Sequence, residues 1–177
     1  MIRTLPYAAA AIAGALVLAL VLVVTGGGAD AKPGAKRATP TWTAPDGAFK
    51  ISTPRGWKAV ASGRAATVIE RADKRGVVVI RRRAKVDEPL PSLGAKLERR
   101  LRKQVPDFRP AGARLAPVGG EQGLVFTFVR TRANQVQSVV VAPAGDRSYT
   151  LDLVADGDAP DVARELAGMV RSFSPRR

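Results

Sequence analysis

The chain contains no cysteine and no histidine. It therefore forms no disulfide and offers no thiol to take up the lipid of a bacterial lipoprotein. Zinc sites built on thiolate or imidazole, a Ser-His-Asp triad and a Cys-His pair are excluded with them. Carboxylates are also scarce, with 15 Asp and Glu against 29 Lys and Arg, which gives a net charge of +14. Residues 1–31 contribute none of that excess, because Arg3 offsets Asp30. A surface of this sign favours anionic neighbours: lipid headgroups, cell-wall polymers, nucleic acid or an acidic protein. The bias toward Ala, Arg, Gly and Val, with Asn134 the single asparagine, is that of a GC-rich bacterial coding sequence.

Only one long apolar run is present. Residues 5–24, LPYAAAAIAGALVLALVLVV, carry no charge, and as a helix they would span about 30 Å, the thickness of a bilayer core. The run predicts a transmembrane helix behind a short flank at residues 1–4. It exceeds the apolar stretch of a secretory signal, which favours a retained anchor over cleavage at Ala29-Asp30-Ala31. Flanking charge (Arg3 before the run; Lys32, Lys36 and Arg37 after it) would by itself leave the following domain inside. The signal-anchor form of the short N-terminus points outward, and the outward placement is the expectation adopted.

Residues 25–45 read as a flexible linker rich in glycine, proline and small residues. Residues 46–177 are long enough for one domain with its own core. Strands are predicted at 49–52, from Trp57, and at 67–71 and 77–83, the last two around the turn Asp73-Lys74-Arg75-Gly76. A helix is expected from Ser92 until Pro106 ends it. Leu93, Leu97, Leu101 and Val105 share one arc of it, and Lys96, Arg99, Arg100, Arg102 and Lys103 fill the other side. Strands follow at 124–131, 136–142 and 148–154. The first of these is apolar or neutral on both sides and should lie centrally, covered on both faces. A final helix over 159–172, capped by Asp158, buries Val162, Leu166, Met169, Val170 and Phe173. The pattern is α+β: an antiparallel sheet of about six to seven strands with helices packed on it.

No motif carries chemistry. The acidic stretch 156–161 lacks the spacing and the closing Glu of an EF-hand, and Gly119-Gly120 lacks the flanks of a phosphate loop. Neither a catalytic residue, a metal site nor a cofactor is predicted. The candidate site is a basic patch for an anionic partner: Arg81 and Arg83, on one side of their strand, with Lys96, Arg99, Arg100 and Lys103 on the helix.

Phe49-x-Ile51-x-x-Pro54-x-Gly56-Trp57, the Tyr149-x-Leu151 strand and the closing Ser172-Phe173 together resemble PsbP-like domains, over residues 45–175. The resemblance implies an α-β-α sandwich and a non-catalytic role in binding or assisting a partner. It extends to actinobacterial exported proteins of the LpqN type and to extracytoplasmic modules of receptor kinases, from whose lipoprotein members this chain departs by lacking the lipid-accepting cysteine. The reading that results is a single-pass, membrane-anchored extracytoplasmic binding domain holding a protein partner or an anionic lipid or cell-wall polymer. The alternative is a cytoplasmic-facing basic module for nucleic acid or an acidic protein. Against nucleic acid, Phe126, Phe128, Tyr149 and Phe173 fall at predicted core positions, leaving no aromatics to stack on bases.

Overall fold

A computed structural model describes residues 39–63 and 66–176. The chain runs β1 (Thr41–Thr43), β2 (Phe49–Ser52), β3 (Trp57–Ser62), β4 (Thr67–Arg71), β5 (Gly76–Ala84), α1 (Leu90–Gln104), β6 (Phe108–Val118), β7 (Glu121–Arg130), β8 (Gln135–Ala144), β9 (Arg147–Asp156), α2 (Pro160–Ser172) and β10 (Ser174–Pro175). Seven strands form one antiparallel sheet in the order β3-β4-β5-β9-β8-β7-β6, and β1-β2-β10 form a small second sheet. The predicted transmembrane run at 5–24 lies outside the described residues. No helix among those described is long and apolar enough to cross a membrane.

The large sheet has two unlike faces. On the inner face Ile69, Val78, Ile80, Val140, Tyr149, Leu151 and Leu153 are buried against Val162, Leu166, Met169 and Val170 of α2 and against Phe49 and Ile51 of β2. On the outer face α1 packs over β6 and β7, above Leu124 and a cluster in which Phe108, Phe126 and Phe128 lie 5.2–6.3 Å apart by ring centroid. Gly94 is the buried residue of α1, and a methyl there would make ordinary van der Waals contact with Leu124 at 3.5 Å. As expected, β7 is buried along both faces from Gly123 to Val129.

The opening motif folds as its residues require. Phe49 and Ile51 point inward and are buried. Gly56 turns at φ +88 and the Trp57 amide donates to the Pro54 carbonyl at 3.1 Å. Trp57 then seals the corner between sheet and α2, its indole N–H donating to Glu165 at 2.7 Å. The Gly119-Gly120 pair, both at positive φ, is the two-residue turn joining β6 to β7.

Four features correct the sequence reading. Strand β1 lies inside the stretch assigned to the linker, where Thr41–Thr43 pairs with β2 and Trp42 rests 5.7 Å from Phe49. Strand β6 was not foreseen at all, and it puts β7 one place in from the sheet edge. Asp158 does not cap α2: the cap position is Ala159, without a side-chain hydrogen bond, and Asp158 pairs with Arg75 at 2.7 Å. Helix α1 also starts earlier than Ser92, at Leu90, with a proline in its first turn where no amide partner is lost.

Arg71 ties β4 to α2. It reaches Asp161 at 2.7 Å and Glu165 at 3.4 Å. The Asp161 carboxyl is held below its ordinary value, chiefly by the hydrogen bond from Arg71. A carboxyl depressed in the folded state stabilises above its unfolded pKa of 3.8, and that contribution is lost as the pH falls through the folded value. Arg71→Gln should therefore move the midpoint of acid unfolding, followed by far-ultraviolet circular dichroism, to higher pH. An unchanged midpoint would mean that this pair does not hold the helix.

Candidate functional site

The structure places the six predicted cations on the outer face or on the helix above it, in two banks. The strand bank is the end of β5. The period of two sends Arg81 and Arg83 outward and Arg82 inward, where Arg82 pairs with Asp46 at 2.5 Å. Arg81 is itself paired, with Asp152 of β9. Burial raises the Asp152 carboxyl above its ordinary value, against the attraction of Arg81 and Arg83. The ion pair is nevertheless partly open to solvent, with about a third of each side chain exposed (36% and 34%).

The helix bank is the exposed side of α1. Leu93, Leu97 and Leu101 are half-buried, while Lys96, Arg99, Arg100 and Lys103 are exposed. Lys96 bonds Glu88 in the connection from β5 at 2.5 Å, and Arg102 bonds Glu98 one turn back at 2.7 Å. Arg102 also lies 5.6 Å over the Phe108 ring. Among the described residues Arg99, Arg100 and Lys103 have no acidic partner.

Strands β9 and β8 separate β5 from β7, so the banks stand three strand spacings apart, about 14 Å. The patch is divided. Between and beside the banks the outer face is floored by Val68, Val77, Val79, Val139 and Val154, all half-buried. Sequence reasoning missed this floor.

The acidic stretch after β9 is taken up by arginines: Asp156 and Asp158 face Arg75, and Asp161 faces Arg71. Among the described residues no three acidic groups gather where a metal could sit. A cavity of about 220 Å³ opens on the inner side, beside the Arg82–Asp46 pair and floored by Phe49, Ile80 and Tyr149. The Tyr149 hydroxyl does not face a ligand there; it donates to the Ala48 carbonyl at 3.0 Å. Phe126, Phe128, Tyr149 and Phe173 are all buried, as the sequence reading placed them.

The architecture is that of a PsbP-like domain. It is similar to the cyanobacterial PsbP of Synechocystis, with a TM-score of 0.58 at 14% identity, covering 83% of this chain and 98% of that one. LpqN of Mycobacterium tuberculosis, described as involved in cell envelope biogenesis, matches with a TM-score of 0.51 at 16% identity over 78% of this chain and 90% of its own. A Pseudomonas aeruginosa protein of unknown function matches at 0.51 and 17% identity, over 78% and 97% of the two chains. No family model matches the chain, and no curated protein matches it in sequence. At these identities the likeness is one of fold.

Proposed function

We propose that this is a non-catalytic accessory domain of the bacterial envelope, held outside the membrane by a helix at residues 5–24 and binding an anionic partner through α1. The observation that carries the reading is the row Arg99, Arg100 and Lys103, left without acidic partners on a helix whose opposite side is committed to the sheet. Charges used only for internal pairing would look like Arg71, Arg75 and Arg81, each facing its own carboxylate. The fold shared with LpqN and PsbP supports an accessory role, since the named part of LpqN is in envelope biogenesis.

Near an anionic surface each such cation is worth about 1 kcal/mol, within a Debye length of about 8 Å at physiological salt. Replacing Lys96, Arg99, Arg100 and Lys103 together with glutamine in a fragment spanning 39–177 should sharply weaken sedimentation with anionic vesicles. Loss of binding at high salt should accompany it. Undiminished sedimentation would remove α1 from the site. Placement is tested separately, by a periplasm-dependent reporter fused after Arg177. Activity restricted to a cytoplasm-dependent reporter would refute the outward orientation.

A further inference from the structure

Among the described residues, the helical layer on the outer face has one place filled and one open. Helix α1 covers β6 and β7. Beside it β8, β9, β5 and β4 span three strand spacings, about 14 Å. Helices packed side by side sit about 8–10 Å apart, so the space is one helix wide. Its floor is the valine surface described above, interrupted by Gln137, Thr150 and the Arg81–Asp152 pair; the valines' immediate chain neighbours Ile69, Val78, Val140 and Leu153 are buried on the inner face.

Charge borders this space. Arg102 leans over Phe108 on the edge strand β6, and at 100° per residue Lys96 and Arg100 lie on the other flank, overlooking the valines. The Lys96–Glu88 pair, made with the connection arriving from β5, fixes the same side. Arg83 stands at one end of the floor, on β5 beyond the point where β4 begins opposite Ile80. The acids of this face are few. Asp152 is held by Arg81, Asp156 lies 3.6 Å from Arg75, and Glu70 stands out on β4.

We propose that this space receives an acidic amphipathic helix of a partner protein, lying beside α1 with its apolar stripe on the valines and its carboxylates toward Arg100 and Arg83. The proposal rests on the reading that the domain holds an anionic partner, and it names that partner's class. A second copy of this chain would bring two surfaces of the same sign together. A bilayer would meet the exterior of α1, but a helix about 10 Å thick stands between it and the recessed floor.

The test uses the full chain in neutral detergent with its leucine and valine methyls labelled for nuclear magnetic resonance, so that both α1 and the floor are read. The probe is a synthetic helix of Leu, Ala and Glu, about 20 residues long, with all leucines on one face. The control has the same composition scrambled. Expected are shifts at Val77, Val79, Val139 and Val154 with none at Val78 and Val140 on the same strands, and binding about tenfold weaker for the scrambled peptide. Val79→Glu should weaken the ordered peptide by a similar factor; should that variant misfold, the methyl map of the unaltered chain decides. Equal binding of both peptides, or shifts confined to α1, would overturn the helix site while leaving an anion-binding surface. Binding of anionic vesicles but of neither peptide would overturn it in favour of lipid. Failure of all three probes would take the functional reading down as well.

Discussion

Trp57→Ala should destabilise the domain by about 3–5 kcal/mol, the range for truncating a buried tryptophan. Small domains have only about 5–15 kcal/mol to lose, so a large part of the population should unfold well below the midpoint temperature of the unaltered protein. Three contributions add at this corner. The ring is buried where β3 meets α2, its N–H is bonded to Glu165, and it packs over Gly76 so closely that a methyl there would meet it at 2.6 Å. Truncation empties the corner and leaves Glu165 with Arg71 alone. Urea unfolding followed by circular dichroism is the measurement, and a cost below about 1.5 kcal/mol would show the indole to be peripheral.

The same corner makes a second, coupled test of that result. Gly76→Ala forces its methyl against both Trp57 and Val162, each at 2.6 Å, and overpacking of this kind costs about 1–3 kcal/mol. In the Trp57→Ala background half of that clash is gone, so the two effects should sum to more than the double variant loses. Strict additivity would mean that the cost at Gly76 comes from the clash with Val162 rather than from the approach of the ring.

Phe173→Ala is expected to cost about as much, roughly 3–5 kcal/mol, by a different route. Phe173 follows α2 and is buried with its ring 5.4 Å from both Phe49 and Tyr149. Those three rings are what fasten the small sheet to the large one. Removing Phe173 from this triangle, in which Phe49 and Tyr149 also meet at 5.9 Å, frees β10 and weakens β2 with it, so amide exchange should rise first at β1, β2 and β10 and only later in the seven-stranded sheet. Uniform acceleration across both sheets would indicate one indivisible unit instead. Tyr149→Phe is the milder comparison. It keeps the ring and removes one of two bonds to the Ala48 carbonyl, which still accepts from the Arg176 amide at 2.8 Å, a loss of about 0.5–1.5 kcal/mol.

Much of this fold could be read from the chain because its packing residues are strongly periodic. The arcs of α1 and α2 and the Phe49-to-Trp57 opening lie where their spacing puts them. Strand β6 was hidden because Pro110, Gly112 and Pro117 interrupt it. Prolines are tolerated there since β6 is an edge strand, and the bulge between Pro110 and Gly112 absorbs the misfit. Strand β1 was too short to signal itself, and only its pairing with β2 keeps it. The cap by Asp158 failed for an electrostatic reason: Arg75, distant in sequence, competes for the carboxylate at 2.7 Å.

The candidate site divides in the same way. That α1 is basic on one side follows from its sequence alone. That Arg81 is neutralised by Asp152, from a strand late in the chain, does not. Nor does the uncovered floor, because Val77, Val78 and Val79 are chemically identical in sequence. Only the strand order, with α1 displaced over β6 and β7, makes the middle one core and its neighbours surface.

The small sheet has a further consequence. Strand β2 is flanked by β1 on one side and β10 on the other, with Lys50 opposite both Thr43 and Ser174. The polypeptide therefore enters at the Ser52 end of β2 and leaves at its Phe49 end, two strand spacings apart across the sheet, about 10 Å, and several residues apart along it. The protein could be reopened at the Gly145 turn only with a bridge long enough to run the length of β2. Anything appended behind Arg176 would emerge from the opposite end of the small sheet to whatever precedes Thr39, so a tether at the front and a cargo at the back would use separate doorways.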